Sequence, residues 1–491
     1  MATRAAWPQR HAAALAFAAL LAVTLLTRAP IFGTRSYFED EVLFQSIAER
    51  MHDGATLYVD VWDRKPPGLF AIYWLATGVA RSVWAPQLAA AAAALATAWI
   101  VRGLGRRIAG AQGSLLAGVL YLVMLLPFGG RGGQVGVFLD LPVAGAVALV
   151  AGELEALRLG HLRWPVFAAM LLAGLAITIK QTALFEGAVL GLYVLVQLAR
   201  AGWTVPRLGG AALAMAVLGA APMLVAAGWF LAIGHFDAFW QAMVTANARK
   251  AYDPGGDLGH RYLVLLGILA PLLLAIAGGV VLRAWVGIDR RLARFLALWL
   301  GAALVGVAVI PNLIDHYVMP LLAPLTILAA PFFDRRPAGL VGGLAMALLS
   351  FTFAGGFDLA YAARANRQLD AVIAAVRRDG PRPRLFVFDG PVALYRETGV
   401  YPPTPLFFPL HLDYRPERDV SQFSTLGELA KVLAWHPQAI VVAPHDYTAN
   451  LIDAAAFARV RSALARCRRQ QRLPLQGLYE VDTVIVFTGC A

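Results

Sequence analysis

The stretch Ser36–Gly68 holds residue types that can do chemistry, because it carries seven carboxylates in a chain that is 59% hydrophobic. Asp40 and Glu41 stand together near its start, and Arg64 and Lys65 follow toward its end. A carboxylate can take the proton of an attacking hydroxyl, and fixed cations can stabilise a phosphate that gains negative charge. The pattern therefore provides a candidate base and a candidate anion site within one short segment.

The same residues also have structural interpretations. Asp40 suits the N-cap of the helical pattern that follows it, and Glu41 is a first-turn acid of the kind that the helix dipole favours. Lys65 stands at the start of another helical pattern, where its amine can snorkel to water. Capping explains one or two of the acids, but it does not explain the whole patch.

Three further segments place polar residues at the ends of apolar runs. They are "VFLDLP" around Asp140, "ITIKQTA" around Lys180, and "DHYVMPLLAPL" with His316 and Tyr317. Asp140 precedes a Leu-Pro pair, as a helix cap does, and Lys180 can snorkel from the end of a span. His316 and Tyr317 are typical of an interfacial aromatic belt. Ionisable residues at membrane depth are nevertheless often functional.

The composition assigns the chain to the membrane proteins. Of its 491 residues, 15% are charged, and the mean hydropathy is +0.64. A soluble globular domain has about 25% charged residues. The net charge of +12 does not indicate nucleic acid, because no basic and aromatic face or nucleic-acid motif accompanies it. We therefore predict an all-α polytopic membrane bundle.

About eleven apolar runs are long enough to predict transmembrane helices. They lie near residues 11–32, 85–101, 114–128, 141–152, 165–179, 183–199, 209–233, 262–282, 295–311, 317–333 and 338–357. The first run is too long for a removable signal peptide and is poor in cleavage-site residues.

The charges of the loops predict the orientation of these spans. With the N-terminus in the cytoplasm, the connecting loops that fall inside each carry at least two arginines, as the positive-inside rule requires. The stretch Lys65–Trp84 is ambiguous, because its apolar core is short and Arg81 interrupts it. We interpret it as an interfacial helix that begins at Pro66 and Pro67.

An amphipathic helix is predicted over residues 41–51. Its apolar residues recur at helical spacing, and they are Leu43, Phe44, Ile47 and Met51. We expect this face to lie on the membrane. With the interfacial helix it forms the first external loop, residues 33–84, of a transmembrane module that spans residues 1–360.

After Phe357 the composition becomes that of a small soluble domain, for which we predict an α/β fold over residues 375–491. Its strand candidates are "RLFVFDG", "AIVVAPH" and "VDTVIVFTG", and its helix candidates are "TLGELAKVLAWH" and "AAFARVRSALARCRRQ". An odd number of spans places this domain outside the cytoplasm. There Cys467 and Cys490 form either a disulfide or two unpaired buried thiols.

In its first external loop and in the segments around Asp140, Lys180 and His316, the chain resembles the GT-C superfamily of integral-membrane glycosyltransferases. The motif "YFEDE", followed by "AERMHDGATLYVDVWDRKPPG", is similar to the first external loop of the protein O-mannosyltransferases and the bacterial lipid A aminoarabinose transferases. The segments around Asp140, Lys180 and His316 are similar in order and topology, with Asp140 in a second external loop. The resemblance covers the membrane part, whereas the C-terminal domain matches only in placement.

The resemblance implies a role for each matching residue. Asp40 takes the position of the catalytic base, and Glu41 and Asp140 are further catalytic candidates. Three cations are expected at the donor phosphate, namely Lys65, Arg64 and Lys180. Four side chains are expected in the substrate cavity, namely Tyr58, Asp63, His316 and Tyr317.

Two departures from the aminoarabinose-transferase pattern concern the first external loop. Arg64 stands where an acid precedes the Lys-Pro pair, and Val42 stands where an arginine follows the Asp-Glu pair. The missing acid leaves dependence on a divalent metal open, and Arg64 is a candidate phosphate ligand instead. We expect no required cofactor and assign no metal ligand.

The implied reaction is transfer of a single sugar from a polyprenyl-phosphate donor to an extracytoplasmic hydroxyl, with inversion at the anomeric carbon. The acceptor can be a glycolipid, lipopolysaccharide, a polysaccharide or a protein, and the sequence identifies neither it nor the sugar. The family branch that the chain resembles implies a bacterial inner membrane, with the N-terminus in the cytoplasm and the C-terminal domain in the periplasm. One alternative is a lipid or sugar transporter or flippase, although we find no related halves of the kind that transporters often have. The other is a non-catalytic envelope sensor.

Overall fold

The computed structural model describes residues 6–250, 258–310, 314–444, 451–476 and 483–490. Some ends of predicted elements lie outside the described residues, namely Pro311, His445, Val481 and Asp482. The described chain is largely α-helical and contains a four-stranded sheet. This confirms the predicted fold class, a polytopic helical bundle with a small α/β part.

The helices are numbered in chain order. They are α1 (Ala6–Arg28), α2 (Glu39–His52), α3 (Pro67–Val79), α4 (Trp84–Gly105), α5 (Ala111–Met124), α6 (Val135–Gly152), α7 (Leu154–Arg158), α8 (Trp164–Ile179), α9 (Ala183–Arg200), α10 (Val205–Ala232), α11 (Phe236–Trp240), α12 (Ala246–Arg249), α13 (Leu258–Val281), α14 (Arg290–Ala308), α15 (Leu322–Phe333), α16 (Ala338–Phe353), α17 (Tyr361–Val376), α18 (Ala393–Thr398), α19 (Leu410–Asp413), α20 (Thr425–Ala434) and α21 (Ala454–Leu464). A 3₁₀ turn, Asp315–Leu321, leads directly into α15.

Nine helical segments among the described residues are long and apolar enough to cross a membrane. Two further predicted runs form α8 and α16, which are apolar helices of 16 residues each. A helix needs about 20 apolar residues to span the hydrocarbon core, so these two are short for a span. The chain is thus a multi-pass membrane protein, and each of the eleven predicted runs is helical over most of its length.

The chain divides into two compact units, each built from three segments. The first unit consists of Met1–Pro30, Gln87–Val225 and Asp257–Asp358. Within it, α5 packs against α1, α15 and α16, and α6 packs against α8. A Cβ atom on Gly113 of α5 would overlap the carbonyl oxygen of Ala330 in α15. Such close backbone approach through small residues is the usual mode of helix packing in membranes.

The helix that carries Asp140 begins earlier than the sequence predicts. α6 starts at Val135, after Gln134, so Asp140 lies inside the helix and Pro142 lies in its interior. The prediction of a capping Asp140 in an external loop is therefore wrong. A proline is tolerated inside a membrane helix because neighbouring groups satisfy the carbonyl that it frees, so Pro142 does not mark the helix start.

The second unit consists of Ile31–Pro86, Ala226–Gly256 and Leu359–Ala491. It combines the predicted first external loop with the C-terminal segment, which the sequence assigns to separate modules. Its strands are β1 (Leu385–Val387), β2 (Ala439–Val442), β3 (Arg469–Pro474) and β4 (Thr483–Thr488), in the spatial order β1-β2-β4-β3. β1 and β2 are parallel, with Leu385 opposite Ala439, and β4 is antiparallel to both β2 and β3.

Two elements of the second unit differ from the sequence-based prediction. β3 is an edge strand that carries Arg469 and Arg472, and the predicted helix covered its first residues. A polar edge strand lacks the apolar alternation by which a strand is identified. α17 begins before the predicted domain start at residue 375 and buries Leu369 and Val372.

A disulfide joins Cys467 and Cys490, which decides between the two alternatives that the sequence left open. Cys467 precedes β3 and Cys490 follows β4. The bridge therefore ties this antiparallel pair of strands together at one end. The chain has no other cysteine.

The two helices of the first loop differ in what covers them. α2 packs against α3 and α18, and its apolar Leu43, Phe44 and Ile47 are fully buried. The prediction that this face lies on the membrane is wrong, because protein covers it. α3 exposes the apolar side chains of Trp74 and Val79, as an interfacial helix requires.

Candidate functional site

Three acids form the first turn of α2 in the second unit: Glu39, Asp40 and Glu41. The residue at the N-cap is Phe38, so the prediction that Asp40 caps the helix is wrong. Asp40 and Glu41 are both partly exposed. Their carboxylates lie in the first turn, where the helix dipole favours negative charge, as was predicted for Glu41.

Glu39 is held differently from its two neighbours. Its Oε2 accepts a hydrogen bond of 2.9 Å from the backbone N–H of Val392, in the C-terminal segment of the same unit. The pKa of the Glu39 carboxyl is raised to about 7, mainly by burial. The hydrogen bond from Val392 lowers this pKa, and the charges of Asp40 and Asp389 raise it. Glu39 is not among the predicted site residues.

Lys65 lies over the ring of Phe44, with its Nζ 5.4 Å from the ring centroid. Phe44 follows Asp40 by four residues on α2, and residues at that spacing share one face of a helix. Helix periodicity therefore assigns Asp40 to the same side of α2 as Phe44, the ring that Lys65 contacts. A carboxylate and a cation are the two groups that the proposed chemistry needs.

Asp63 supports the Lys65 loop. The backbone N–H of Lys65 donates a hydrogen bond of 2.7 Å to Asp63 Oδ1, and Lys65 Nζ lies 3.8 Å from the same oxygen. His411 Nε2 lies 3.7 Å from the other oxygen. Burial opposes ionisation, but the charge of Lys65, the neighbouring imidazole of His411 and the charge of Arg64 hold the pKa of Asp63 well below its usual value. Asp63 is thus a buried anion that neutralises part of the local positive charge.

Arg64 and a cation from another segment share one buried carboxylate. Arg64 Nη1 lies 2.5 Å from Glu417 Oε2, and Lys250 Nζ lies 3.2 Å from Glu417 Oε1. Burial and then the charge of Arg64 lower the pKa of Lys250 to about 8, although Glu417 acts in the opposite direction. Burial works against the ionisation of Glu417, but Arg64 and Lys250 lower its pKa to about 2. We call Asp63, Arg64, Lys65, Lys250 and Glu417 the cation cluster.

Tyr58 does not line an open cavity, contrary to the prediction. Its side chain is fully buried, and its ring packs against Phe230 with centroids 5.3 Å apart. Its hydroxyl donates a hydrogen bond of 2.8 Å to the carbonyl oxygen of Lys65. The backbone of Tyr58 has a φ of +68°, which a non-glycine residue adopts only when its surroundings fix it. Tyr58 therefore holds the loop that carries Lys65.

A second group of polar residues lies in the first unit. Tyr121 donates a hydrogen bond of 2.9 Å to Asp140 Oδ2, and Trp299 Nε1 donates one of 2.9 Å to Glu186 Oε1. Lys180, at the end of α8, interacts electrostatically with both carboxyls. We call these five residues the span cluster.

The remaining predicted cavity residues lie beside Lys180. Its Nζ stands 4.4 Å from the ring centroid of Tyr317, a cation–π contact. Tyr317 packs edge-on against His316, with centroids 4.7 Å apart. His316 Nδ1 lies 3.4 Å from Asp315 Oδ1. Tyr317 thus contacts a candidate phosphate ligand, which an aromatic belt alone does not explain.

The predicted site residues therefore fall into both units. The second unit contains Asp40, Glu41, Tyr58, Asp63, Arg64 and Lys65, and the first contains Asp140, Lys180, His316 and Tyr317. Glu186 is not among the predicted site residues, although a lone acid inside an apolar run is itself a signal. Lys250 and Glu417 are not among them either, and they have no comparable signal because they lie among other charged residues in polar segments.

The residues around Lys65 do not fit a metal ion. Among the residues that the structure describes, no group of three or more His, Cys, Asp or Glu side chains is suited to hold one. Asp63 and Glu417, the carboxylates nearest to Lys65 and Arg64, are already paired with cations. We therefore derive no step through a metal, and the expectation that no cofactor is required stays a prediction.

Comparison with known proteins concerns the fold. No family model matches the chain, and no curated protein sequence matches it. The crystal structure of ArnT from Cupriavidus metallidurans bound to undecaprenyl phosphate is similar, with 14% identity, a TM-score of 0.61, and coverage of 96% of this chain and 97% of that one. Its apo state gives 15% identity and a TM-score of 0.60 over the same shares.

A more distant likeness extends to another enzyme. The oligosaccharyltransferase of Archaeoglobus fulgidus, tethered with an acceptor peptide, shares 11% identity over 89% of this chain and 70% of its own, with a TM-score of 0.51. ArnT, a lipid A aminoarabinose transferase, and the oligosaccharyltransferase both have the GT-C fold. The chain therefore has the fold of the GT-C membrane glycosyltransferases, as its resemblance in sequence predicted.

Proposed function

We propose that this protein is a membrane glycosyltransferase that moves one sugar from a polyprenyl-phosphate donor to an acceptor hydroxyl outside the cytoplasm. The observation that carries the proposal is the contact of Lys65 Nζ with Phe44, 5.4 Å from the ring centroid, on the side of α2 to which helix periodicity assigns Asp40. The fold supports it, because the similar ArnT structure holds undecaprenyl phosphate. Such a lipid is the leaving group that the reaction releases.

In the proposed reaction the Asp40 carboxylate accepts the proton of the acceptor hydroxyl. The hydroxyl oxygen attacks the anomeric carbon on the face opposite the phosphate, and the carbon–oxygen bond to the phosphate breaks with its electron pair leaving on the phosphate. Direct displacement inverts the anomeric carbon. The departing phosphate is a weak base, so no general acid is assigned.

The cations of the cluster act on the phosphate. At an effective dielectric near 20, a cation about 4 Å from a phosphate contributes roughly 4 kcal/mol per unit charge. Only the part that grows as charge develops accelerates the reaction, and the rest binds the donor. Lys65 and Arg64 are assigned this role, and the assignment of Lys180 stays a prediction from the resemblance.

The decisive experiment is a transfer assay with purified protein. Labelled polyprenyl-phosphate sugars and bacterial envelope extracts as acceptor should yield a new glycosidic bond, and NMR of the product should show inverted anomeric configuration. A flippase would move the labelled lipid across a vesicle bilayer without forming a bond, and a sensor would do neither. Absence of product with every donor tested, alongside lipid movement, would contradict the proposal.

The proposed location is the bacterial inner membrane, with the N-terminus in the cytoplasm and the first loop and C-terminal domain outside. Ser36 is buried, so Arg81, with 54% of its side chain exposed, is the better labelling site in the first loop. Cysteines replacing Arg81 and Ala454 should react with an impermeant thiol reagent in spheroplasts. A cysteine replacing Arg291 should react only after permeabilisation, and earlier labelling would overturn this orientation.

A further inference from the structure

The short helix α18 contacts α2 near both of its ends. At the first turn of α2, Glu39 Oε2 accepts a hydrogen bond of 2.9 Å from the backbone N–H of Val392, the N-cap residue of α18. Toward the last turn of α2, Arg396 Nε lies 3.1 Å from each carboxylate oxygen of Glu49. In the sequence of α2, Asp40 stands between these two contacts. The helix that carries the proposed base is therefore held by α18 at two points.

The contact between Arg396 and Glu49 is largely removed from solvent. Each of these side chains is 14% exposed. Arg396 Nη1 donates a further hydrogen bond of 2.9 Å to Glu397 Oε1, and Gln45 Nε2 donates one of 2.8 Å to Glu49 Oε1. Charge pairs that are partly buried are screened by salt less than exposed pairs, and additional hydrogen bonds fix their geometry.

The segment that leads into α2 is attached to the same helix. Arg35 Nη1 donates a hydrogen bond of 2.9 Å to Glu397 Oε2, and Arg35 Nη2 lies 2.6 Å from Asp370 Oδ1 in α17. The backbone N–H of Arg35 donates one of 3.0 Å to Asn366 Oδ1, also in α17. The entry into α2 is thus fixed by α17 and α18 together.

α18 is itself anchored to the sheet. Tyr395 is fully buried, and its hydroxyl accepts a hydrogen bond of 2.8 Å from the backbone N–H of Val387 in β1. The same hydroxyl donates one of 3.2 Å to the carbonyl oxygen of Val387. Two successive residues of α18 therefore have different partners, because Tyr395 contacts the sheet and Arg396 contacts α2.

We propose that Arg396 is a positioning residue for the transfer reaction, which holds α2 through Glu49 so that Asp40 meets the acceptor hydroxyl. The inference rests on the proposed function, because that function assigns Asp40 the role of base. A displacement of about 1 Å at a reacting group can cost about a hundredfold in rate. The C-terminal segment thereby contributes to the reaction through α18.

This role has an expected kinetic signature. The backbone of Lys65, a proposed phosphate ligand, is held by its own hydrogen bonds with Asp63 and Tyr58. Loss of the Arg396 contact should therefore lower kcat and leave donor binding nearly unchanged. A residue that serves stability alone would lower the thermal midpoint without changing the kcat of the folded protein.

The test uses the full-length protein in detergent. Arg396→Gln and Glu49→Gln each remove one charge of the pair, a double variant removes both, and Arg396→Lys keeps the charge without the planar guanidinium. Arg469→Gln is the matched control, because it removes an arginine of β3 that lies 2.9 Å from Asp379. The measurements are kcat at saturating labelled donor, the dissociation constant for undecaprenyl phosphate, and the thermal midpoint.

Arg396→Gln should lower kcat about 10-fold to 100-fold, with the dissociation constant changed less than about threefold. The double variant should lose no more than the more severe single variant, because the two side chains act as one unit. Arg396→Lys should retain part of the lost rate, and Arg469→Gln should transfer at the wild-type rate.

Two results would overturn the positioning role: an unchanged kcat in both Arg396→Gln and Glu49→Gln, or an equal loss of kcat and donor affinity. If Arg396→Gln does not fold, Glu49→Gln decides between these outcomes. If the wild-type protein forms no product with any donor, the proposed function fails and this inference fails with it. Product from the wild-type protein with unchanged kcat in the variants overturns the inference alone.

Discussion

The cation cluster of the second unit and the span cluster of the first unit balance their charges in different ways. In the cation cluster, both carboxylates are paired with lysine or arginine. In the span cluster, Asp140 and Glu186 outnumber Lys180, and each carboxyl accepts a hydrogen bond from a neutral donor, the hydroxyl of Tyr121 or the indole of Trp299.

The partners of the carboxylates indicate what each cluster can do. Lysine and arginine side chains suit the binding of an anion, and a partly exposed carboxylate such as Asp40 can remove a proton. Buried carboxyls held by neutral donors suit the fixing of helices against one another, because a satisfied polar group stabilises one packing arrangement. We therefore expect substitutions in the second unit to affect transfer most, and substitutions in the span cluster to affect stability more than rate.

The largest effect is expected for Asp40→Asn. If Asp40 is the base, the rate at saturating donor should fall about 100-fold to 10,000-fold, or about 3 to 5 kcal/mol, while donor binding is kept. Because Phe38 rather than Asp40 occupies the N-cap, the loss of a cap cannot explain such a fall. The measurement is transfer rate beside a thermal-unfolding midpoint.

Asp53→Asn is the matched control, since Asp53 follows the other end of α2 and is exposed in a pair with Arg81. It should transfer at nearly the wild-type rate. If Asp40→Asn retains more than about a tenth of the wild-type rate, proton abstraction has to be reassigned, with Glu41 and Asp140 as the next candidates.

The next effect concerns Lys65. Lys65→Ala should weaken donor binding and slow transfer together, with kcat/KM falling about 10-fold to 100-fold, because a phosphate contact is lost in both the ground and the transition state. Lys65→Arg should retain part of both, since the charge survives with altered geometry. Steady-state kinetics with a labelled donor measure this, and Lys180→Ala provides the comparison. If Lys180→Ala lowers kcat/KM more than Lys65→Ala does, the expectation that the cation cluster affects transfer more than the span cluster is wrong.

A stability effect that depends on pH is expected at Glu39. Its pKa in the folded protein is about 7, above the ordinary value near 4.5, so the folded state binds this proton more tightly than the unfolded state. The resulting stability is fully present below about pH 4.5 and is lost as the pH rises toward 7. Glu39→Gln keeps an oxygen for the Val392 N–H and should be more stable than wild type at pH 8, by about 1 to 3 kcal/mol.

Thermal midpoints of both proteins from pH 4.5 to pH 8 check this prediction. The difference between the two curves isolates Glu39 from Asp389, whose carboxyl also has a raised pKa, of about 6, as a result of burial. Parallel curves over the whole range would show that Glu39 is not protonated preferentially in the folded state.

The smallest effect is expected for Tyr121→Phe in the span cluster. The substitution removes one hydrogen bond to Asp140 and should lower the free energy of unfolding by about 1 kcal/mol, with transfer changed less than threefold. Thermal midpoints and transfer rates give the two numbers. A hundredfold loss of transfer with an unchanged midpoint would instead make the span cluster part of the reaction.

Much of the fold follows from the sequence. A long apolar run in lipid has to satisfy its backbone internally, so the runs predict helices whatever surrounds them. The strands β1, β2 and β4 were predicted for a similar reason, because each is short and rich in buried β-branched or aromatic residues. The resemblance in the first loop predicts roles for Asp40 and Lys65 without reference to their contacts.

The local sequence does not determine the boundaries of helices or the pairing of strands. A proline such as Pro142 is compatible with the start or the interior of a membrane helix, and only the packing around α6 decides between them. β3 lacks an apolar pattern because an edge strand faces solvent, so its assignment depends on its pairing with β4.

The sequence alone determined the class of this protein, its membrane helices and the residue types available for chemistry, since these depend on local composition and spacing. Only the tertiary structure decided that Arg64 meets Glu417, 353 residues further along the chain, and that the same carboxylate binds Lys250. The sequence around a charged residue does not indicate which residue it pairs with. These pairings are fixed by the long-range packing that brings distant segments of the second unit together.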